Sequence, residues 1–224
     1  MTTQNYIIQK ERSSNKFKVN GIFVSVDDRR LKSDALQSYI SSALKKVPSI
    51  FLQDLKNIYI GSFKELEDRD LTALYKNDSI YLSSSVSSYE DMVDDIIHEV
   101  AHHVETIYQN ELYADGEIKQ EFLQKRKTLW NLLKNKGIEI ELEKFLNTDF
   151  DTEFDEFLYK TIGYPTLRLV TTNLFYSPYG STSLREYFAN GFEAFFMRED
   201  VNLLKKVSPV LYGKIVELLK LEEL

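Results

Sequence analysis

Apolar residues recur at helical spacing through most of this chain, and at strand spacing only in its first half. Ile22-Phe23-Val24-Ser25-Val26 predicts a short strand, and residues 55–60 predict another, stopped by Gly61. Asn77-Asp78 reads as a turn into a third, Ser79-Ile80-Tyr81-Leu82-Ser83, which a serine-rich polar loop follows. Between the first two strands, Leu36, Ile40, Leu44 and Val47 mark a helix that Ser33 or Asp34 caps and Pro48 ends. Ser88 and Asp91 have capping-box spacing and open a helix carrying Val93, Ile96, Ile97, Val100, Val104 and Ile107. A further helix follows Asp115-Gly116, with Ile118, Phe122, Leu129 and Leu133 inward and Gly137 as its stop.

The later pattern is less regular. Acids alternate with apolar residues over 139–156, where Phe150, Phe154 and Phe157 predict an amphipathic helix with a solvated acidic face. That stretch lacks the spacing of an EF-hand calcium loop. Residues 163–181 hold Gly163, Pro165, Pro178 and Gly180 and form the longest loop expected. Ser183 or Leu184 then begins a helix through Phe196, and Asp200 and Ser208-Pro209 head two C-terminal helices. Neither a strand–helix alternation of the parallel-crossover type nor a glycine-rich phosphate loop stands out. The polar residues 1–20 read as an arm, and 21–224 as a single domain.

Composition narrows the chemistry. The net charge is −7, which sets a low expectation for nucleic-acid binding because an acidic surface repels phosphate backbones. Without Cys, thiolate zinc sites, disulfides and Cys nucleophiles are excluded. No run is apolar enough to cross a membrane and no signal-peptide pattern is seen, so the expected location is cytoplasmic or assembly-associated.

The chain's 3 His are His98, His102 and His103, and the first two frame the pattern His98-Glu99-x-x-His102. On a helix, His102 falls about 40° from His98 and one turn along, so both imidazoles can hold one Zn²⁺. Glu99 is turned about 100° away, where it can reach a water activated by that metal and act as general base. His103 points elsewhere and reads as structural or exposed. Glu105 returns to about 20° from His98 and reads either as a carboxylate orienting a ligand imidazole or as an exposed acid. A catalytic zinc needs a third protein ligand, and with no His or Cys to spare it must be a carboxylate. Glu105 and Tyr108 stand where the longer metzincin motif requires Gly and His, which excludes that class. Glu186 and Glu193, on an aromatic-rich helix with Asn190 between them, are both candidates.

From about Asn77 onward the chain resembles the catalytic domain of anthrax lethal factor and its relatives, the Pro-Pro endopeptidases. The resemblance rests on three blocks: Ile80-Tyr81-Leu82 leading to the His98-Glu99-x-x-His102 helix, Tyr179-Gly180, and Glu186-Tyr187-Phe188-Ala189 with Phe192. It implies an α+β, mostly helical zincin-like metallopeptidase domain with a small mixed β-sheet over the helix of His98. It implies Glu186 as third zinc ligand, Tyr179 as the oxyanion donor, and Ile80, Tyr81, Leu82 and Ser83 as a strand that pairs with a peptide or protein substrate. About eighty residues separate His102 from Glu186, more than the family needs, so an acidic helical insertion is expected at about 115–164. Asn190 replaces an acid that the lethal-factor relative carries one turn after its ligand, and is read as supporting the metal site. The expected activity is zinc-dependent endopeptidase cleavage. The alternative is a non-catalytic interaction component of a larger protein assembly that keeps a peptidase-like fold.

Overall fold

A computed structural model of the chain describes residues 15–28, 31, 33–85, 88–197 and 200–221. The protein is mixed α+β, with a small mixed sheet and a majority of helix. It divides into two compact units, residues 1–103 and 104–224. Among the described residues no helix is long and apolar enough to cross a membrane.

The first unit is built on five strands. β1 (Asn15–Val19) and β2 (Ile22–Val26) form an antiparallel hairpin. Its turn, Asn20-Gly21, has φ of 50° and 87°, the left-handed pair that matches the twist of a two-residue hairpin. Part of the expected N-terminal arm is therefore strand, while residues 1–14 lie outside the described residues. α1 (Ser33–Lys46) then carries the chain across to β3 (Asn57–Gly61), which pairs parallel to β2. The β2–α1–β3 segment is thus a parallel crossover, contrary to the expectation of none. Its five-residue strands and the lack of a glycine-rich turn hid it in the sequence. The cap expected at Ser33 falls on a side chain outside the described residues.

A short helix, α2 (Lys64–Asp68), precedes β4 (Ala73–Lys76) and β5 (Ser79–Ser83). The strand order is β1-β2-β3-β5-β4. β5 is therefore interior, next to the edge strand, parallel to β3 and antiparallel to β4. Its buried Ile80 and Leu82 join Val24, Ile58 and Ile60 in the interior, with Leu36, Ile40 and Leu44 from α1. α3 (Tyr89–Ile107) follows, and its Ile96, Ile97 and Val100 are fully buried. As expected, Ser88 caps α3: its Oγ accepts the Asp91 N–H at 3.0 Å.

In the second unit, α4 (Gln109–Tyr113) leads to α5 (Glu117–Asn135), the long helix around which the rest packs. Its Ile118, Phe122, Leu129 and Leu133 are all fully buried, as their spacing predicts. Gly137 ends it with φ of 80°, donating to Lys134 O at 2.9 Å while Ile138 N–H donates to Leu133 O at 3.1 Å. This reciprocal pair satisfies the last carbonyls of the helix.

The single amphipathic helix expected over 139–156 is instead two single turns, α6 (Leu142–Leu146) and α7 (Thr152–Glu156). The intervening Asn147 and Asp151 side chains accept the N–H groups of Asp149 and Phe154, which offers the backbone an alternative to continued helix. Phe154 is buried but Phe150 is left 48% exposed. Residues 163–181 are also not one loop. A π-helical turn (Phe157–Gly163) runs into α8 (Tyr164–Thr171), whose first turn tolerates Pro165 because that N–H has no helical partner. A 3₁₀ turn (Tyr179–Ser181) then precedes α9 (Leu184–Met197), α10 (Val201–Val207) and α11 (Pro209–Lys220).

Candidate metal centre

The helical period of α3 brings His98, Glu99 and His102 together. One donor atom from each lies within 4.8 Å of the other two. The imidazole rings stand 5.0 Å apart, nearly perpendicular at 84°. His102 and Glu99 are 5% and 6% exposed and His98 is partly open, so the cluster is sheltered yet reachable. Two imidazoles and a carboxylate converging in this way form a donor set that fits a divalent cation.

The sheet orients this cluster. Glu99 accepts a hydrogen bond from the backbone N–H of Tyr75 on β4 at 2.5 Å. One turn earlier, Asp95 accepts from the Thr72 hydroxyl at 3.1 Å. His103 points away from the cluster and is fully buried. Its Nε2 lies 2.6 Å from the Gln53 carbonyl and its Nδ1 3.1 Å from the Tyr75 hydroxyl. A carbonyl can only accept, so Nε2 carries the proton and Nδ1 accepts from Tyr75. Burial pushes the His103 pKa below its ordinary value, which favours this neutral form. His103 is therefore a structural pin between α3, β4 and the segment after α1.

One expectation is corrected here. Ile80, Tyr81, Leu82 and Ser83 lie on β5, whose edges are occupied by β3 and β4. A strand paired on both sides has no free ladder for a peptide. The edge strand next to it is β4, which is too short and weakly patterned to stand out in the sequence.

The other candidate residues lie in the second unit. Glu186 sits in the first turn of α9, where its N–H donates to the Ser183 hydroxyl at 3.1 Å, so Ser183 caps the helix. Tyr179 opens the 3₁₀ turn just before that helix. Asn190, one turn after Glu186, accepts from the Ser177 hydroxyl at 3.0 Å. Glu105 accepts from the Tyr113 hydroxyl at 2.5 Å and stands 3.6 Å from the Arg185 guanidinium. Burial, reinforced by the Glu105 charge, holds the Tyr113 hydroxyl far above its ordinary pKa.

Two residues near Glu186 escaped the sequence reading. Burial first, and the Glu186 charge second, raise the pKa of Asp155. Tyr159, on the π-helical turn, is raised by burial and then by Asp155. Asp155 belongs to the acidic stretch whose alternation predicts a solvated face, and Tyr159 falls between that stretch and the expected loop, so no sequence signal marks either. Arg126 was missed too, although it left a signal: it lies on the inward stripe of α5 between Phe122 and Leu129. It is 1% exposed, and burial lowers its pKa to about 9.

No protein-family model, no curated protein and no solved structure matches this chain.

Proposed function

We propose that the protein is a zinc-dependent endopeptidase of zincin-like fold, with His98, His102 and Glu186 as the metal ligands. The observation that carries this reading is the convergence of the His98, Glu99 and His102 donors within 4.8 Å on one helix. When bound, Zn²⁺ supplies Lewis-acid polarisation of a carbonyl and lowers the pKa of water.

The remaining work falls to the chain itself. Tyr75 N–H fixes one Glu99 oxygen, which aims the carboxylate and leaves its second oxygen to take a proton from water. The same carboxylic acid returns that proton to the leaving amine. The Tyr179 hydroxyl donates to the substrate carbonyl oxygen as negative charge develops there. The substrate is an extended peptide, and β4 is the edge strand beside Glu99 that can lie along it.

The test measures metal content and cleavage together. After dialysis against zinc, the wild-type chain should hold one zinc and cut fluorescein-labelled casein or a quenched fluorescent peptide library. Glu99→Gln should keep the zinc and lose about 10²- to 10⁴-fold in rate, the usual contribution of a general base. Glu186→Ala should lose the zinc. A wild-type chain that takes up no zinc, or a Glu99→Gln chain that cuts at the wild-type rate, refutes the reading.

A further inference from the structure

We infer that Arg126 and Asn190 are positioning residues that together clamp the turn bearing Tyr179, an inference that rests on the peptidase reading above. A tyrosine on a short turn can stabilise an oxyanion only if its backbone is held still, because donors act through preorganisation. The Tyr179 turn is three residues long and is closed locally: the N–H and hydroxyl groups of Ser181 both donate to the Pro178 carbonyl, and those of Thr182 to the Tyr179 carbonyl. These local bonds shape the turn but do not fasten it to the elements around it, and that attachment comes from outside.

Arg126 supplies one half. Its Nη1 donates to the carbonyls of Ser181 and Thr182 at 2.8 and 3.0 Å, and its Nη2 donates to Lys144 O at 2.7 Å. The guanidinium lies 4.1 Å from the centroid of the Phe154 ring, with Phe122 and Phe145 also around it. A buried cation without a good set of acceptors is costly, so these three carbonyls are held in place as much as they hold. The planar fork is what allows three carbonyls to be met at once, and an ammonium cannot reproduce it.

Asn190 supplies the other half. Its Oδ1 accepts from the Ser177 hydroxyl at 3.0 Å, at the start of the turn. The same oxygen lies 3.0 Å from where a Cβ would stand on residue 180, so a side chain there would press on the Asn190 amide and Gly180 leaves it room. Asn190 is one helical turn from Glu186, and the clamp therefore ties the Tyr179 turn to the helix of the proposed third ligand. Arg126 and Lys144 both belong to the segment expected as an insertion. In this inference that segment is the back wall of the Tyr179 turn.

Hydrogen exchange over residues 177–184 tests the clamp without depending on activity. Asn190→Ala and Arg126→Lys should each speed exchange of this stretch about tenfold or more, with far-UV circular dichroism and zinc content unchanged. Asn190→Asp keeps the acceptor oxygen and should exchange at the wild-type rate. In cleavage of the same labelled casein, Asn190→Ala should lower kcat with little change in KM. It should add no further loss in a Tyr179→Phe background. Unchanged exchange in Asn190→Ala, or a kcat loss that multiplies with that of Tyr179→Phe, overturns the inference. If Arg126→Lys fails to fold, the Asn190 pair decides. If the wild-type chain cuts nothing, the peptidase reading fails on that result, while exchange still decides whether the clamp exists.

Discussion

Glu121 offers the sharpest test of how the helix carrying Glu186 is held. From the second turn of α5 its Oε1 accepts the Tyr187 hydroxyl at 2.8 Å and the Leu211 N–H at 3.1 Å, while Oε2 accepts the Val210 N–H at 2.9 Å. One carboxylate thus anchors α9 through Tyr187 and caps the first turn of α11. Burial, with the Glu121 charge added, keeps the Tyr187 hydroxyl protonated well beyond its ordinary range. Glu121→Gln preserves shape and the two Oε1 bonds, but turns an amide NH₂ toward the Val210 N–H. Losing a hydrogen bond to a charged acceptor costs about 1.5–3 kcal/mol. Losing the negative charge at a helix N-terminus costs a further ~0.3–1 kcal/mol. The sum is about 2–4 kcal/mol, which for a chain of this length lowers Tm by roughly 5–15 °C. Guanidinium unfolding followed by far-UV circular dichroism measures it, with exposed Glu139→Gln as a control expected within about 0.5 kcal/mol of wild type. A Glu121→Gln chain as stable as that control would refute the claim that one carboxylate organises these helices.

Two further outcomes follow from the first unit. The folded-state pKa of His103 is depressed, so its contribution to stability is complete above the unfolded value near 6.5 and declines as pH falls below it. His103→Gln should therefore flatten the drop in urea midpoint between about pH 7.5 and about pH 5, and an unchanged slope would show that His103 is not the group responsible. Asn77, in the β4–β5 turn, has φ of 51°, a conformation that costs a β-branched residue about 1–2 kcal/mol. Asn77→Val should lose that much in urea unfolding while Asn77→Gly holds or gains slightly; equal stability of the two variants would contradict the strain argument.

Whatever depends on neighbours within a turn or two of chain was legible in the residues. The pairing of His98 with His102, the rotation of Glu99, the Ser88 and Asp200 caps and the Gly137 stop all follow from the period of one helix and from side chains that reach their own backbone. The same local chemistry explains why 139–156 broke into two turns: Asn147 and Asp151 compete for amides there, against an apolar pattern too weak to prevail. Only the tertiary structure decided that Ser79–Ser83 lies inside the sheet with β4 beyond it, because strand order is set by which distant segments pair and not by alternation within a strand. Only it could turn Arg126 from a polar interruption of a helix stripe into a buried hub, since the carbonyls that make burial tolerable come from residues 144, 181 and 182. Periodicity records how a segment meets itself, whereas the cost of burying a strand edge or a charge is fixed by partners far along the chain.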